Sequence, residues 1–274
     1  MSQVAIVTGA ASGIGACLVQ RLLARGYQVC ACDINEVNLQ RLKVPAQQQS
    51  FMTMTLDVRD ASGWQQLVEA VMARWQRIDV LANVAGVLKE GWVQDTTEAD
   101  IDFHFDINVK GVILGMQAVL PTMQAAGRGH IVNIASLASL SPVPGIALYS
   151  ASKFAVRGYS LAAGMELADK GIAVTTICPD AVQTPMLDIQ KGKAETALTF
   201  SGPRALTPDE VVDAIVDDAL VNKPLEIMLP PWRGATAKAA NLMPNISARA
   251  ISFFRKAGLK RQAALSAGKD PTQR

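Results

Sequence analysis

Histidine is nearly missing from this chain. The two present, His104 and His130, lie far from each other and from the four cysteines. Those cysteines (Cys17, Cys30, Cys32, Cys178) form no Cys-x-x-Cys pair, so the sequence supports neither a zinc site nor a cysteine–histidine nucleophile. Cys30 and Cys32 fall two apart in an apolar run and read as small buried hydrophobes on one face of a strand. Long hydrophobic runs are also lacking: half of the 274 residues are hydrophobic, yet Gly, Gln or Pro breaks every apolar stretch well short of a membrane span. No basic segment precedes the first apolar run, "MSQVAIVTG", which therefore reads as a buried strand rather than a signal peptide and points to the cytoplasm. With 18% charged residues and no linker, the composition excludes disorder and favours one large α/β domain. Nothing supports nucleic-acid binding.

Charge is unevenly placed. Residues 1–229 hold 17 Lys+Arg against 23 Asp+Glu, whereas residues 230–274 hold 9 against 1, so the basic character belongs to the tail.

What is present is an alternation. The β-branched runs "VAIVT", "QVCACD", "FMTMTLD", "DVLANVAG", "HIVNIAS", "IAVTTICP" and "LEIMLP" are separated by helix-period segments, the pattern of repeated βαβ units. It predicts a single-domain, doubly wound Rossmann fold with a seven-stranded parallel sheet and helices on both faces. Helices are expected at 13–25, 61–75, 98–123, 148–170 and 208–222, the last with Thr207 as N-cap and Pro208 in its first turn. Between 183 and 204 no firm period exists, and a mobile segment with a short helix is expected.

The first strand runs into "TGAASGIG". Glycines at a strand end let the backbone approach a pyrophosphate, whose charge the following helix N-terminus favours. Asp33 ends the second strand, eighteen residues beyond Gly15, where a carboxylate accepts hydrogen bonds from a ribose diol and repels a 2′-phosphate. Neither Ser12 nor Ile34 is basic, so NAD is expected over NADP.

"LYSASKFAV" sets Tyr149 four residues ahead of Lys153, on one helical face. Alone, that pair is equally a solvated helix face. Together with the glycine loop and Asp33, the order of motifs over residues 3–230 resembles the classical short-chain dehydrogenases/reductases. "TGAASGIG" resembles that family's cofactor loop (Gly9, Ser12, Gly13, Ile14, Gly15), and "LDV" its adenine-contacting strand end (Asp57, Val58). "NVAG" (Asn83, Ala85, Gly86) resembles its Asn-Asn-Ala-Gly, with Val84 replacing the second Asn. Asn108, Ser136, Tyr149 and Lys153 match its catalytic tetrad, and Pro179, Val182 and Thr184 its carboxamide and phosphate contacts. The resemblance implies a catalytic domain over 1–230 and a basic, partly amphipathic extension over 231–274. It further implies a homodimer or homotetramer through the helices at 98–123 and 148–170.

The chemistry agrees with that resemblance. Hydride exchange between an alcohol carbon and nicotinamide needs a group to take or give the hydroxyl proton, and a phenol of pKa about 10 is a poor base near neutrality. A fall of about 3 units corresponds to roughly 4 kcal/mol, which one ammonium about 4 Å away supplies at an effective dielectric near 20. Tyr149 is thus expected to be the acid/base with its pKa lowered by Lys153. Ser136 would hold the substrate oxygen, Lys153 would also bind the nicotinamide ribose, and Asn108 would support a water leading to solvent.

One departure stands out: "CPDAVQTPM" has Asp180 where the family usually has Gly, at a turn for which Asp is a fair left-handed substitute, and its carboxylate either caps the loop or contacts substrate. Positions expected to face the substrate are apolar (Val87, Leu137, Ala138, Val143, Pro144, Ala147, Ala181, Met186, Leu187), which suits a hydrophobic secondary alcohol or ketone. From Trp232 onward the tail can close over the substrate, pack on another subunit or rest on an anionic membrane surface, the last being the least favoured. A catalytically idle dinucleotide-binding regulator on the same fold is the alternative function, against which the complete tetrad argues.

Overall fold

The computed structural model describes residues 2–42 and 49–266; the final stretch of the basic extension, 267–274, lies outside them. Seven parallel strands, β1 (Val4–Thr8), β2 (Gln28–Asp33), β3 (Phe51–Thr55), β4 (Val80–Asn83), β5 (Gly129–Ile134), β6 (Ile172–Pro179) and β7 (Glu226–Leu229), form one sheet in the order β3-β2-β1-β4-β5-β6-β7. The order reverses between β1 and β4, and in doubly wound sheets ligands bind at the carboxyl ends of the strands at this crevice.

Helices cover both faces: α1 (Gly13–Ala24), α2 (Glu36–Gln40), α3 (Ala61–Trp75), α4 (Glu98–Phe105), α5 (Gly111–Ala126), α6 (Ala147–Leu167), α7 (Pro185–Asp188), α8 (Pro208–Asp213), α9 (Leu220–Asn222), α10 (Pro231–Leu242) and α11 (Pro244–Ser266). Because successive strand residues point to opposite faces, each strand feeds two cores. Val4, Ile6, Cys30 and Cys32 pack with Trp64, Leu67 and Met116, while Ala5, Val7, Val29 and Ala31 pack with Leu18, Leu22 and Ile215. Apolar residues must therefore be consecutive, as the sequence shows. The two cysteines share one face, fully buried.

The helix expected over 98–123 is interrupted. Between α4 and α5 the chain takes wider π-type turns at Asp106–Lys110, which carry Asn108. The helix over 208–222 has the same break at Ala214–Ala219, after a capping box in which Thr207 and Glu210 exchange hydrogen bonds. In the 183–204 segment the chain forms α7 and a 3-10 stretch at Ala194–Phe200.

Candidate active site

A cleft of about 1460 Å3 opens at the carboxyl ends of the strands. One end is backbone. Gly9 has φ +65°, and a side chain there would come within 2.8 Å of Ala85 N and Cα; a Cβ on Gly15 would meet Gly9 O at 2.1 Å. Only glycine fits at either position. Thr8 Oγ1 accepts from the backbone N–H groups of Val84 and Ala85 (3.1 and 3.2 Å), binding the first loop to the one after β4. Ser12 opens α1 without capping it through its side chain, and the first turn of that helix, Gly13, Ile14 and Gly15, lines the cleft. Asp33 accepts from Ala11 N (3.0 Å) and Asn35 N (2.9 Å), which fixes its carboxylate beside the same loop. Asp57 is held by Arg59 in a two-pronged ion pair that lowers its pKa, and Val58 lines the wall beside it. Thr184 closes this end, its Cγ2 2.9 Å from where a Gly13 Cβ would lie. Ile14, Pro179 and Val182 complete it.

Tyr149 and Lys153 meet in the middle of the cleft on the inner face of α6. Lys153 Nζ donates to Ile134 O (2.8 Å) and lies 5.7 Å from the Tyr149 ring centre. Ser136 faces them and accepts from Ala138 N (3.1 Å), so it also caps the turn that follows β5. Gly86 is tight against this group, since a Cβ there would stand 3.2 Å from Asn108 Oδ1 and 3.3 Å from Lys153 Nζ.

The expectation of a lowered tyrosine pKa is not met by these side chains alone. Burial pushes Tyr149 up to about 12, with a hydrogen bond from Ser136 opposing the rise, and burial pulls Lys153 down to about 8. Desolvation disfavours both charged forms, and for the phenolate it outweighs the help of the Ser136 hydrogen bond.

Two expected residues lie behind the wall rather than in it. Asn108 is fully buried: its amide accepts from Val87 N (2.8 Å) and donates to Val87 O and Ser152 Oγ (both 3.0 Å). Asn83 turns away from the cleft to donate to Asn133 Oδ1 (2.8 Å), part of a buried network that continues to Ser160. The remaining expected positions line the cleft, as do all nine apolar positions expected to face substrate.

The cleft also has a roof, and the tail supplies it. Ala237, Ala240, Met243, Ile251 and Phe254, from α10, α11 and the turn between them, line the cleft over its apolar end. Within one chain the tail thus lies over the apolar side of the cleft, as one of the three expected placements has it. Arg233 Nε reaches Asp180 Oδ2 at 2.5 Å, and Lys238 and Arg157 both bind Glu226 of β7. Gln262, buried on α11, donates to Lys193 O (3.2 Å) and Thr196 Oγ1 (3.1 Å), and Arg255 lies 4.9 Å over the Trp92 ring. Asp180 is thus the tail's anchor. Its backbone is not left-handed: among the described non-glycine residues only Gln76 and Lys223 have positive φ. Burial raises its pKa, and Arg233 counters the rise.

The model of the short-chain dehydrogenase family matches residues 3–194. The chain is 40% identical over 226 residues to the 2-(R)-hydroxypropyl-CoM dehydrogenase of Xanthobacter autotrophicus, covering 79% of this chain and 90% of that one. It is 35% identical over 220 residues to the cyclopentanol dehydrogenase of a Comamonas species, covering 78% and 88%. Among solved structures, a short-chain dehydrogenase/reductase from Burkholderia phymatum in complex with NAD superposes with TM-score 0.80 at 24% identity, over 90% of this chain and 95% of that one. ElxO with NADP bound superposes with TM-score 0.75 at 26% identity, over 83% and 98%. This chain belongs to the short-chain dehydrogenase family of oxidoreductases, which pair with a dinucleotide cofactor.

Proposed function

We propose that the protein interconverts a hydrophobic secondary alcohol and its ketone with NAD(H) as the hydride partner. The observation that carries this is the placement of Tyr149, Lys153 and Ser136 between a glycine-lined cradle and an apolar chamber. The cradle fits a dinucleotide, because Gly9 and Gly15 leave room only for close backbone approach and the N-terminus of α1, which Ser12 does not cap through its side chain, opens on the cleft. Asp33 favours NAD: its fixed carboxylate suits a ribose diol, the following Ile34 is exposed and apolar, and Arg59 is engaged by Asp57. Gly13, Ile14, Asp57, Val58, Ala85, Gly86, Pro179, Val182 and Thr184 would line the rest of the cofactor's path.

A bound oxidised dinucleotide would supply the hydride acceptor, and its positive charge would favour the Tyr149 phenolate that burial alone opposes. Tyr149 Oη takes the hydroxyl proton in oxidation and returns it in reduction. Ser136 holds the substrate oxygen beside it. Lys153 stays largely protonated near neutrality, supplies the charge that a phenolate needs and grips the nicotinamide ribose. Asn108 acts through position: in bridging Val87 and Ser152 it fixes the wall that Lys153 rests against. Asn83 belongs to this proposal only as a support of the strand end. The names of two relatives, a 2-(R)-hydroxypropyl-CoM dehydrogenase and a cyclopentanol dehydrogenase, fit a secondary-alcohol substrate.

The proposal includes a cytosolic homodimer or homotetramer joined through α4–α5 and α6, the helices over 98–123 and 148–170. Among the described residues no helix is long and apolar enough to cross a membrane. It also assigns 1–230 as the catalytic domain and the following residues as an extension that roofs it. The deciding experiment follows NADH production across a panel of apolar secondary alcohols; no turnover with any of them, in a preparation that binds NAD, would favour an idle binder instead.

A further inference from the structure

Packing the tail on the body leaves its outer side unexplained. Along α11, Ile251, Arg255, Gly258 and Gln262 turn inward, so the opposite face, with Ile246, Arg249, Phe253, Lys256 and Lys260, stands in water. Ile246 and Phe253 are two turns apart on one line and 64% and 71% exposed. Leu242 and Met243, at the turn into α11, are 80% and 57% exposed. Residues this apolar are scattered singly on most surfaces, whereas here they follow one another along a single hairpin.

The charges carried by the hairpin itself all have one sign. Residues 230–266 contain seven Lys and Arg and no Asp or Glu. Among the described residues, Arg233 and Lys238 form ion pairs with the body, while no ion pair engages Arg249, Lys256 or Lys260. A helix with exposed aliphatic and aromatic side chains among uncompensated cations is the pattern that settles in the headgroup layer of an anionic bilayer. The same face of a second copy would bring like charges together.

We propose that the outer face of the α10–α11 hairpin is a peripheral docking surface for an anionic lipid bilayer, with Leu242, Met243, Ile246 and Phe253 entering the headgroup–acyl boundary and Arg249, Lys256 and Lys260 facing lipid phosphates. Met243 and Ile246 also border the cleft. Docking therefore sets the apolar end of the cleft against the membrane, and where the proposed apolar substrate holds, that substrate passes from lipid to cleft without crossing bulk water.

The test uses the full-length protein and sedimentation with vesicles of phosphatidylcholine alone or mixed with phosphatidylglycerol. Partitioning onto the mixed vesicles should be about tenfold or more stronger and should weaken with added salt. Leu242→Ser with Phe253→Ser should lower it about tenfold while NAD binding and thermal melting stay unchanged. Arg249→Gln with Lys256→Gln should remove most of the lipid-charge preference. Equal binding to both vesicle types, or insensitivity to both double variants, would overturn the proposal. So would displacement by inorganic phosphate, which would mark a site for a small anion. If the protein instead self-associates without lipid and Leu242→Ser with Phe253→Ser abolishes that, the occupant is another copy. Vesicle binding is read without turnover, so a failure here leaves the proposed activity standing.

Discussion

At the glycine-lined end of the cleft, the proposed nucleotide end, the wall is largely main chain folded by motifs within the first 86 residues and closed by Thr184; at the apolar end, the proposed substrate end, it is side chains drawn from regions as far apart as Val87 and Phe254. A wall of backbone demands particular residue types at particular spacings, because only glycine permits the approach at Gly9 and Gly15. A wall of apolar side chains demands only volume and hydrophobicity. The first end is therefore expected to be intolerant of substitution, and the second to be where specificity is set.

The largest test of that division falls on its border. Tyr149→Phe removes only the phenolic oxygen, and kcat should fall by about 10²–10⁴ while NAD affinity changes little. Lys153→Met should lose turnover and weaken NAD binding together, since it deletes a charge that serves both ends. Stopped-flow turnover with cofactor titration separates the two. Comparable NAD affinity in both variants would dissolve the border.

Next in size is a pH effect from the same pair. The Lys153 pKa of about 8 lies below its ordinary 10.5, so between those values the unfolded chain holds a proton that the folded one has released. Stability should rise with pH through that window, by up to about 3 kcal/mol in all. Tyr149 acts with the opposite sign above pH 10, because the folded state keeps its proton to about 12. Urea unfolding should show wild type gaining on Lys153→Met as pH rises from 8 to 10.5. A constant difference would mean that Lys153 is better solvated than its burial implies.

Asp33→Ala tests whether the backbone end also selects the cofactor. Wild type should favour NAD over NADP by kcat/KM, and the variant should narrow the gap about tenfold. Part of any loss will come from the glycine loop itself, as the carboxylate holds Ala11 N; Asp33→Asn, which keeps an acceptor there, separates the two effects.

How much of the molecule is legible in its sequence follows from the same contrast. The doubly wound parallel sheet and the family can be read because the strand–helix alternation, the "TGAASGIG" loop, Asp33 and the Tyr149–Lys153 spacing are each fixed by local geometry. The π-type turns that carry Asn108 cannot, since the helical period runs through them and only the hydrogen bonds to Val87 and Ser152 reveal the break. A lowered tyrosine pKa follows from charge alone, and burial, which the sequence expresses only through tertiary packing, reverses it. Arg233 is invisible for another reason. It lies 53 residues from Asp180, and nothing in either neighbourhood signals the other. The unusual Asp180 is the one available clue, and its position suggests a loop cap or a substrate contact, whereas its carboxylate in fact receives the tail.

That pairing gives the last and smallest prediction, at the substrate end. If α10 and α11 form the roof, loosening their anchor should disturb apolar substrate binding and spare the nucleotide end. Arg233→Met keeps the stem's bulk and removes the charge, leaving Asp180 buried and unpaired; the carboxyl can then take up a proton, since burial already raises its pKa, which limits the cost. A net loss of about 1 kcal/mol in roof closure corresponds to roughly a fivefold rise in KM for an apolar alcohol, with kcat and NAD affinity within about twofold of wild type. Asp180→Asn should give the larger rise of the two, because a guanidinium cannot discard its charge as a carboxyl can. Equal effects on KM for the smallest and the most extended alcohols would show that the roof closes the cleft without contacting the substrate, and so would move specificity back to the walls contributed by Leu137, Val143 and Met186.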